Sequence, residues 1–178
     1  MTATRHVVLI GLMASGKSTI GPRLAVRIGR PFLDNDVMLE ARTGRSAREI
    51  AAADGADALH RQEADALIDA LSASIPAVIA AAAAAPMEPD VAGALARHVV
   101  VYLRAAPAVL AARIERAPAD DDHRPFVADD ARAVLVEQFA ARDGRYRELA
   151  GLTVDTEWGT TEAIVELIAS ALSAGLAP

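Results

Sequence analysis

The chain has 178 residues and a mass of 18.5 kDa, with 18 Lys+Arg against 24 Asp+Glu, a net charge of −6 and no cysteine. That length suits one domain spanning residues 1–178, and a hydrophobic content of 53% argues against disorder. The missing cysteines exclude a disulfide framework, a thiolate zinc site and cysteine nucleophile chemistry and fit a reducing compartment, while the acidic balance gives no footprint for nucleic acid. In chain order, His6 to Ile10 reads as a doubly buried strand, Gly11 to Gly16 as a loop and Lys17 to Ile28 as a helix. Pro31 to Leu33 reads as a short strand ending at Asp34, followed by helical patterns from Asp36 to Ala41, Ser46 to Ala53 and Asp57 to Ser72. Ala77 to Ala81 gives a third strand, Asp90 to Ala96 a helix, His98 to Leu103 a fourth strand and Pro107 to Arg116 a helix. An acidic, proline-bearing segment over residues 117–130 reads as a lid or as an ordinary surface loop. A helix from Asp130 to Leu149, a strand from Leu152 to Val154 and a closing helix from Thr161 to Leu172 complete the pattern.

Strands alternating with helices predict an α/β fold, a five-stranded parallel sheet flanked by helices. The first apolar run, Val7 to Ile10, is too short for a signal h-region and leads into a polar loop. The longest apolar stretch, Ala77 to Ala85, reaches about half of the roughly 20 residues a spanning helix needs. The expectation is a cytoplasmic protein without membrane or nucleic-acid partners.

Gly11-Leu-Met-Ala-Ser-Gly-Lys-Ser18 satisfies the G-x-x-x-x-G-K-[ST] phosphate-loop pattern between a strand and a helix. The spacing serves a chemistry. Successive backbone N–H groups at Gly11, Ala14, Ser15, Gly16 and onward to Thr19 curl around the phosphates, and the helix N-terminus adds partial positive charge. Lys17 reaches the β/γ-phosphates and the Ser18 hydroxyl is placed to ligate Mg²⁺. Lys17 is also the chain's one lysine beside 17 arginines, which marks a place where a compact ammonium serves and a guanidinium does not. With a single lysine, no Asn-Lys-x-Asp run for guanine can exist beside it. The expected cofactors are ATP and Mg²⁺, and at this length the reading is a small-molecule kinase.

Further motifs follow in order: Phe32-Leu-Asp34-Asn-Asp36, Arg42-Thr-Gly44-Arg-Ser46 with Glu49-Ile50, Asp54-Gly55 followed by Glu63, Val99-Val-Val-Tyr-Leu103, Arg124-Pro125, and Arg142 with Tyr146. With the phosphate loop they resemble the shikimate kinases, a branch of the nucleoside-monophosphate-kinase-like phosphate-loop fold, over nearly the whole chain. The resemblance implies roles. Asp34 lies near Mg²⁺, and Asp36 receives substrate hydroxyls and assists deprotonation; the bland alternative is that Asp36 simply caps the helix that follows. Arg113 stacks on adenine, Arg124 reaches in from the lid to the phosphates, and Arg142 holds the substrate carboxylate bidentately.

Two departures fall on the acceptor side. Where the family carries Phe-Arg-x-x-Glu, this chain has Leu59-His60-Arg61-Gln62-Glu63, so a residue mostly neutral at pH 7 replaces a guanidinium at His60. Where the family carries three glycines, this chain has Ala82-Ala83-Ala84. Three methyl groups then enter the pocket wall, with strain expected wherever φ is positive, or the turn takes another path. Two functions fit: a monomeric ATP-dependent kinase of shikimate or a related polyhydroxylated acid or cyclitol, or a nucleotide-binding relative with a regulatory role that has lost phosphorylation.

Overall fold

The computed structural model describes residues 5–116 and 130–175. The predicted lid, including Arg124, lies outside the described residues apart from Asp130. Five parallel strands, β1 Val7–Ile10, β2 Phe32–Asp34, β3 Val78–Ala80, β4 Val99–Arg104 and β5 Leu152–Asp155, form one sheet in the order β2-β3-β1-β4-β5. The register runs Val8 to Ile79 on one side of β1 and Val8 to Val100 on the other. After β1 the chain crosses to the β2 edge, returns through β3, and only then passes to the other side. A crevice opens at such a reversal, at the carboxyl ends of the strands.

Alternation along the strands builds two cores. Val7, Leu9, Val78, Val99 and Val101 face α1 Lys17–Ile28 and α8 Thr161–Ser173 through Leu24, Ile164 and Ile168. Val8, Ile10, Ile79, Val100 and Tyr102 face the other layer through Leu67 of α4 Ala56–Leu71, Val91 of α5 Pro89–Leu95, Leu110 of α6 Pro107–Glu115, and Leu135 and Tyr146 of α7 Ala131–Leu149. A satellite core of Leu39, Ala47, Ile50 and Leu59 joins α2 Asn35–Thr43 and α3 Ala47–Asp54 to α4. Ser46 closes a capping box with Glu49 at the head of α3, where the sequence pattern starts that helix.

One close approach sets the site. Gly21 on α1 has no Cβ, and one built there would stand 2.3 Å from the Phe32 ring. The missing side chain lets β2 press onto α1, which brings Asp34, at the end of β2, beside the first turn of α1.

Candidate active site

The phosphate loop depends on its glycines. Gly11 has φ +147°, and a Cβ there would lie 2.5 Å from the Leu103 carbonyl oxygen; Gly16 has φ +103°. Ala14, at φ 60°, is the one non-glycine residue in the left-handed region among the described residues. Its carbonyl accepts from Arg113 Nη1 at 3.1 Å, and the same guanidinium donates to the Thr156 hydroxyl and carbonyl just beyond β5. Arg113 therefore braces the loop against the end of β5. It is not among the residues that line the cleft.

Lys17 Nζ donates to the carbonyls of Gly11 at 2.8 Å and Leu12 at 3.0 Å. Burial lowers its pKa to about 8, against the opposing pull of Asp36, Asp34 and Glu63. Ser18 Oγ donates to Asp34 Oδ2 at 3.3 Å, while Asp34 Oδ1 accepts from the Asp36 amide at 3.0 Å. Asp34 thus caps α2 with one oxygen and faces Ser18 with the other. The capping role that the sequence left open for Asp36 belongs to Asp34, and Asp36 faces the cleft from the first turn of α2.

The cleft has a volume of about 290 Å³. Ala14, Ser15, Gly16, Lys17, Ser18 and Thr19 form its phosphate end, with Gly11 packed beneath them. Asp34, Asp36, His60, Arg142 and the alanines 82–84 form the rest. Sequence reasoning therefore brought together side chains from β2, α2, α4, the turn after β3, and α7.

The alanine turn corrects one expectation. None of Ala82, Ala83 and Ala84 has a positive φ, so the three substitutions carry no left-handed strain. Ala84 sits in the right-handed helical region and the chain continues into a 3₁₀ turn at Ala85–Met87, with Ala85 N donating to Ala82 O at 3.2 Å. Alanine settles readily into that right-handed turn, and the methyls form a wall.

Two polar cleft residues were not singled out for the site in advance. Glu63, from α4, is 8% exposed. Burial first, and then the neighbouring Asp36, push its pKa up to about 8, against the opposing pull of Arg142 and Lys17. Gln138 also lines the cleft one turn before Arg142 on α7, and the i, i+4 spacing was the available signal. His60 has its pKa lowered by burial and then by Arg142, which keeps the ring neutral at pH 7 as its residue type predicted.

A family model described as shikimate kinase matches residues 13–173. The chain belongs to the shikimate kinase family. It is 41% identical over 166 residues to the shikimate kinase of Mycobacterium tuberculosis, covering 93% of this chain and 92% of the relative. It is 37% identical to that of Thermobifida fusca, with 98% of each chain covered. The fold superposes with TM-score 0.86 and 26% identity on a shikimate kinase from Acinetobacter baumannii solved in complex with shikimate, over 97% of this chain and 94% of that one. A Sinorhizobium meliloti gluconokinase at 19% identity and TM-score 0.67 shares the fold. As a member of the shikimate kinase family, the chain is an ATP-using small-molecule phosphotransferase of the phosphate-loop type. Among the described residues no helix is long and apolar enough to cross a membrane.

Proposed function

We propose that the chain transfers the γ-phosphoryl group of ATP to a hydroxyl of shikimate. The observation that carries this reading is the convergence of Asp36 and Arg142 on a cleft whose other end is Lys17 and the phosphate loop. A ring bearing hydroxyls and one carboxylate is matched by that pair: a carboxylate receives hydroxyls, and a guanidinium fork receives a carboxylate.

The chemistry is positioning and charge stabilisation. Loop amides and the head of α1 take the triphosphate. Lys17 exchanges its loop carbonyls for phosphoryl oxygens, where anionic partners hold it protonated. Asp36 orients the attacking hydroxyl and takes its proton. The resemblance adds Arg124 at the phosphates and Arg113 on the base side. Ser18 and Asp34 supply one hydroxyl and one carboxylate, and among the described residues no cluster of three metal-binding side chains gathers. That sparse donor set fits Mg²⁺, which keeps several waters and binds through one or two carboxylates together with nucleotide phosphates. Mg²⁺ would neutralise phosphate charge there.

The binding-only alternative lost part of its motivation when the alanine turn proved to be relaxed, and we infer a catalytically active, cytoplasmic monomer. The test is ADP release with ATP and Mg²⁺, with and without shikimate, using Lys17→Ala as the blank. Stimulation by shikimate that vanishes in the variant is the expected result. Nucleotide binding without stimulation would overturn the assignment of the acceptor.

A further inference from the structure

The chain's two tyrosines lie ring to ring, Tyr102 on β4 and Tyr146 on α7, with centroids 5.0 Å apart at 56°. Both are almost completely buried. Their hydroxyls serve different partners. Tyr102 Oη donates to Asp143 Oδ1 at 2.9 Å, and that carboxylate also accepts from Arg104 Nε at 3.0 Å and Arg147 Nε at 2.8 Å. This is a clasp between β4 and α7.

Tyr146 Oη instead donates to the Ala83 carbonyl, in the turn that walls the cleft. Arg142 lies one helical turn earlier on α7 and lines the same cleft, close enough for its charge to act on the phenol. The arrangement answers a need particular to this turn. Three alanines offer no side-chain hydrogen bond, so only backbone groups can fix their shape. A long arginine side chain loses much rotamer freedom on binding a ligand unless something pre-orients it.

We propose that Tyr146 is a positioning residue for the acceptor, its hydroxyl tying α7, one turn beyond Arg142, to the Ala83 carbonyl so that the arginine and the cleft wall are held in register before substrate arrives. The proposal rests on the reading of Arg142 as the group that holds the acceptor carboxylate. It gives a buried core tyrosine a specificity role that burial alone would not predict.

Three variants, Tyr146→Phe, Tyr102→Phe and Arg142→Lys, test it through steady-state kinetics with shikimate and ATP and through ADP affinity. Tyr146→Phe raises the KM for shikimate about tenfold, while the KM for ATP and the ADP affinity stay within about twofold. Tyr102→Phe lowers the melting temperature and leaves the KM for shikimate where it was. Arg142→Lys raises that KM by more than Tyr146→Phe does. If Arg142→Lys raises it and Tyr146→Phe does not, the positioning proposal is overturned while the reading of Arg142 stands. If Arg142→Lys has no effect, both fall. If Tyr146→Phe raises both KM values together in step with a loss of stability, the hydroxyl is a core group only and the proposal is overturned.

Should Tyr146→Phe fail to fold, wild-type protein labelled at tyrosine ¹³Cζ gives the answer. It has two signals, assigned through Tyr102→Phe, and saturation with shikimate shifts that of Tyr146 and not that of Tyr102. An unmoved Tyr146 signal overturns the proposal.

Discussion

The two ends of the cleft are made of different material. The phosphate end is backbone: glycines at φ +147° and +103°, a left-handed Ala14, and carbonyls that hold Lys17. The acceptor end is side chains, Asp36, His60, Glu63 and Arg142, brought from separate helices to meet a wall of alanine methyls. Backbone sites tolerate almost no substitution, because a Cβ in the wrong place strikes main chain. Side-chain sites can change residue and keep the fold. That difference fits a chain that matches the phosphate-loop motif without a mismatch yet presents a neutral His60 where the resemblance leads one to expect a guanidinium.

The sharpest way to break the phosphate end is Lys17→Ala, which should lower kcat/KM by ~10³-fold or more through loss of charge stabilisation on the transferred group, with folding retained. Next comes Gly21→Ala. The added methyl meets Phe32, and the overpacking should cost about 1–3 kcal/mol in denaturant unfolding. The displaced β2 also separates Asp34 from Ser18, so the KM for Mg·ATP should rise several-fold.

Glu63→Gln probes the acceptor end through pH. The folded carboxyl, with its pKa near 8, keeps a proton that the unfolded chain releases at about 4.5, so the native state binds the extra proton between those values and stability falls as pH rises across them. Glutamine removes that penalty. The variant should be more stable by on the order of 3 kcal/mol at pH 7, with a gain that grows from pH 4.5 to 8. Above pH 8 the wild-type carboxylate repels an acceptor carboxylate. At saturating ATP, kcat/KM for shikimate should therefore fall on the alkaline side in the wild type and less so in Glu63→Gln. The smallest effect is expected from His60→Arg. A second cation beside Arg142 should lower the KM for shikimate by about 3–10-fold with the KM for ATP unchanged, measured by the same assay.

The contrast between the two ends also governs what was legible in the sequence. The helix Lys17–Ile28 was read with its exact bounds, because glycines at both ends and a fixed motif spacing determine them locally. All five strands were found from their apolar runs, to within a residue or two. Asp34 and Asp36 were both assigned to the site with separate roles from the resemblance, but whether Asp36 caps α2 was left open, since two acids at i and i+2 are equivalent as caps until the helix start is fixed. Glu63 escaped a site role because its burial arises where α2 packs on α4, including a bond from Asn35 Nδ2 to the Glu63 carbonyl at 3.2 Å, and no local pattern encodes that approach. The strain expected in Ala82 to Ala84 came from assuming a glycine path. Alanine's own preference leads into a right-handed turn.

The single lysine has a practical consequence. Acylating reagents attack the neutral amine, and with a pKa of about 8 the half-buried Lys17 is half neutral in mildly alkaline buffer. The protein thus offers such chemistry one ε-amino group, reached only by molecules that enter the nucleotide cleft. A reactive nucleotide analogue would mark one known atom, and the loss of that mark on adding ATP would count occupied sites directly by mass.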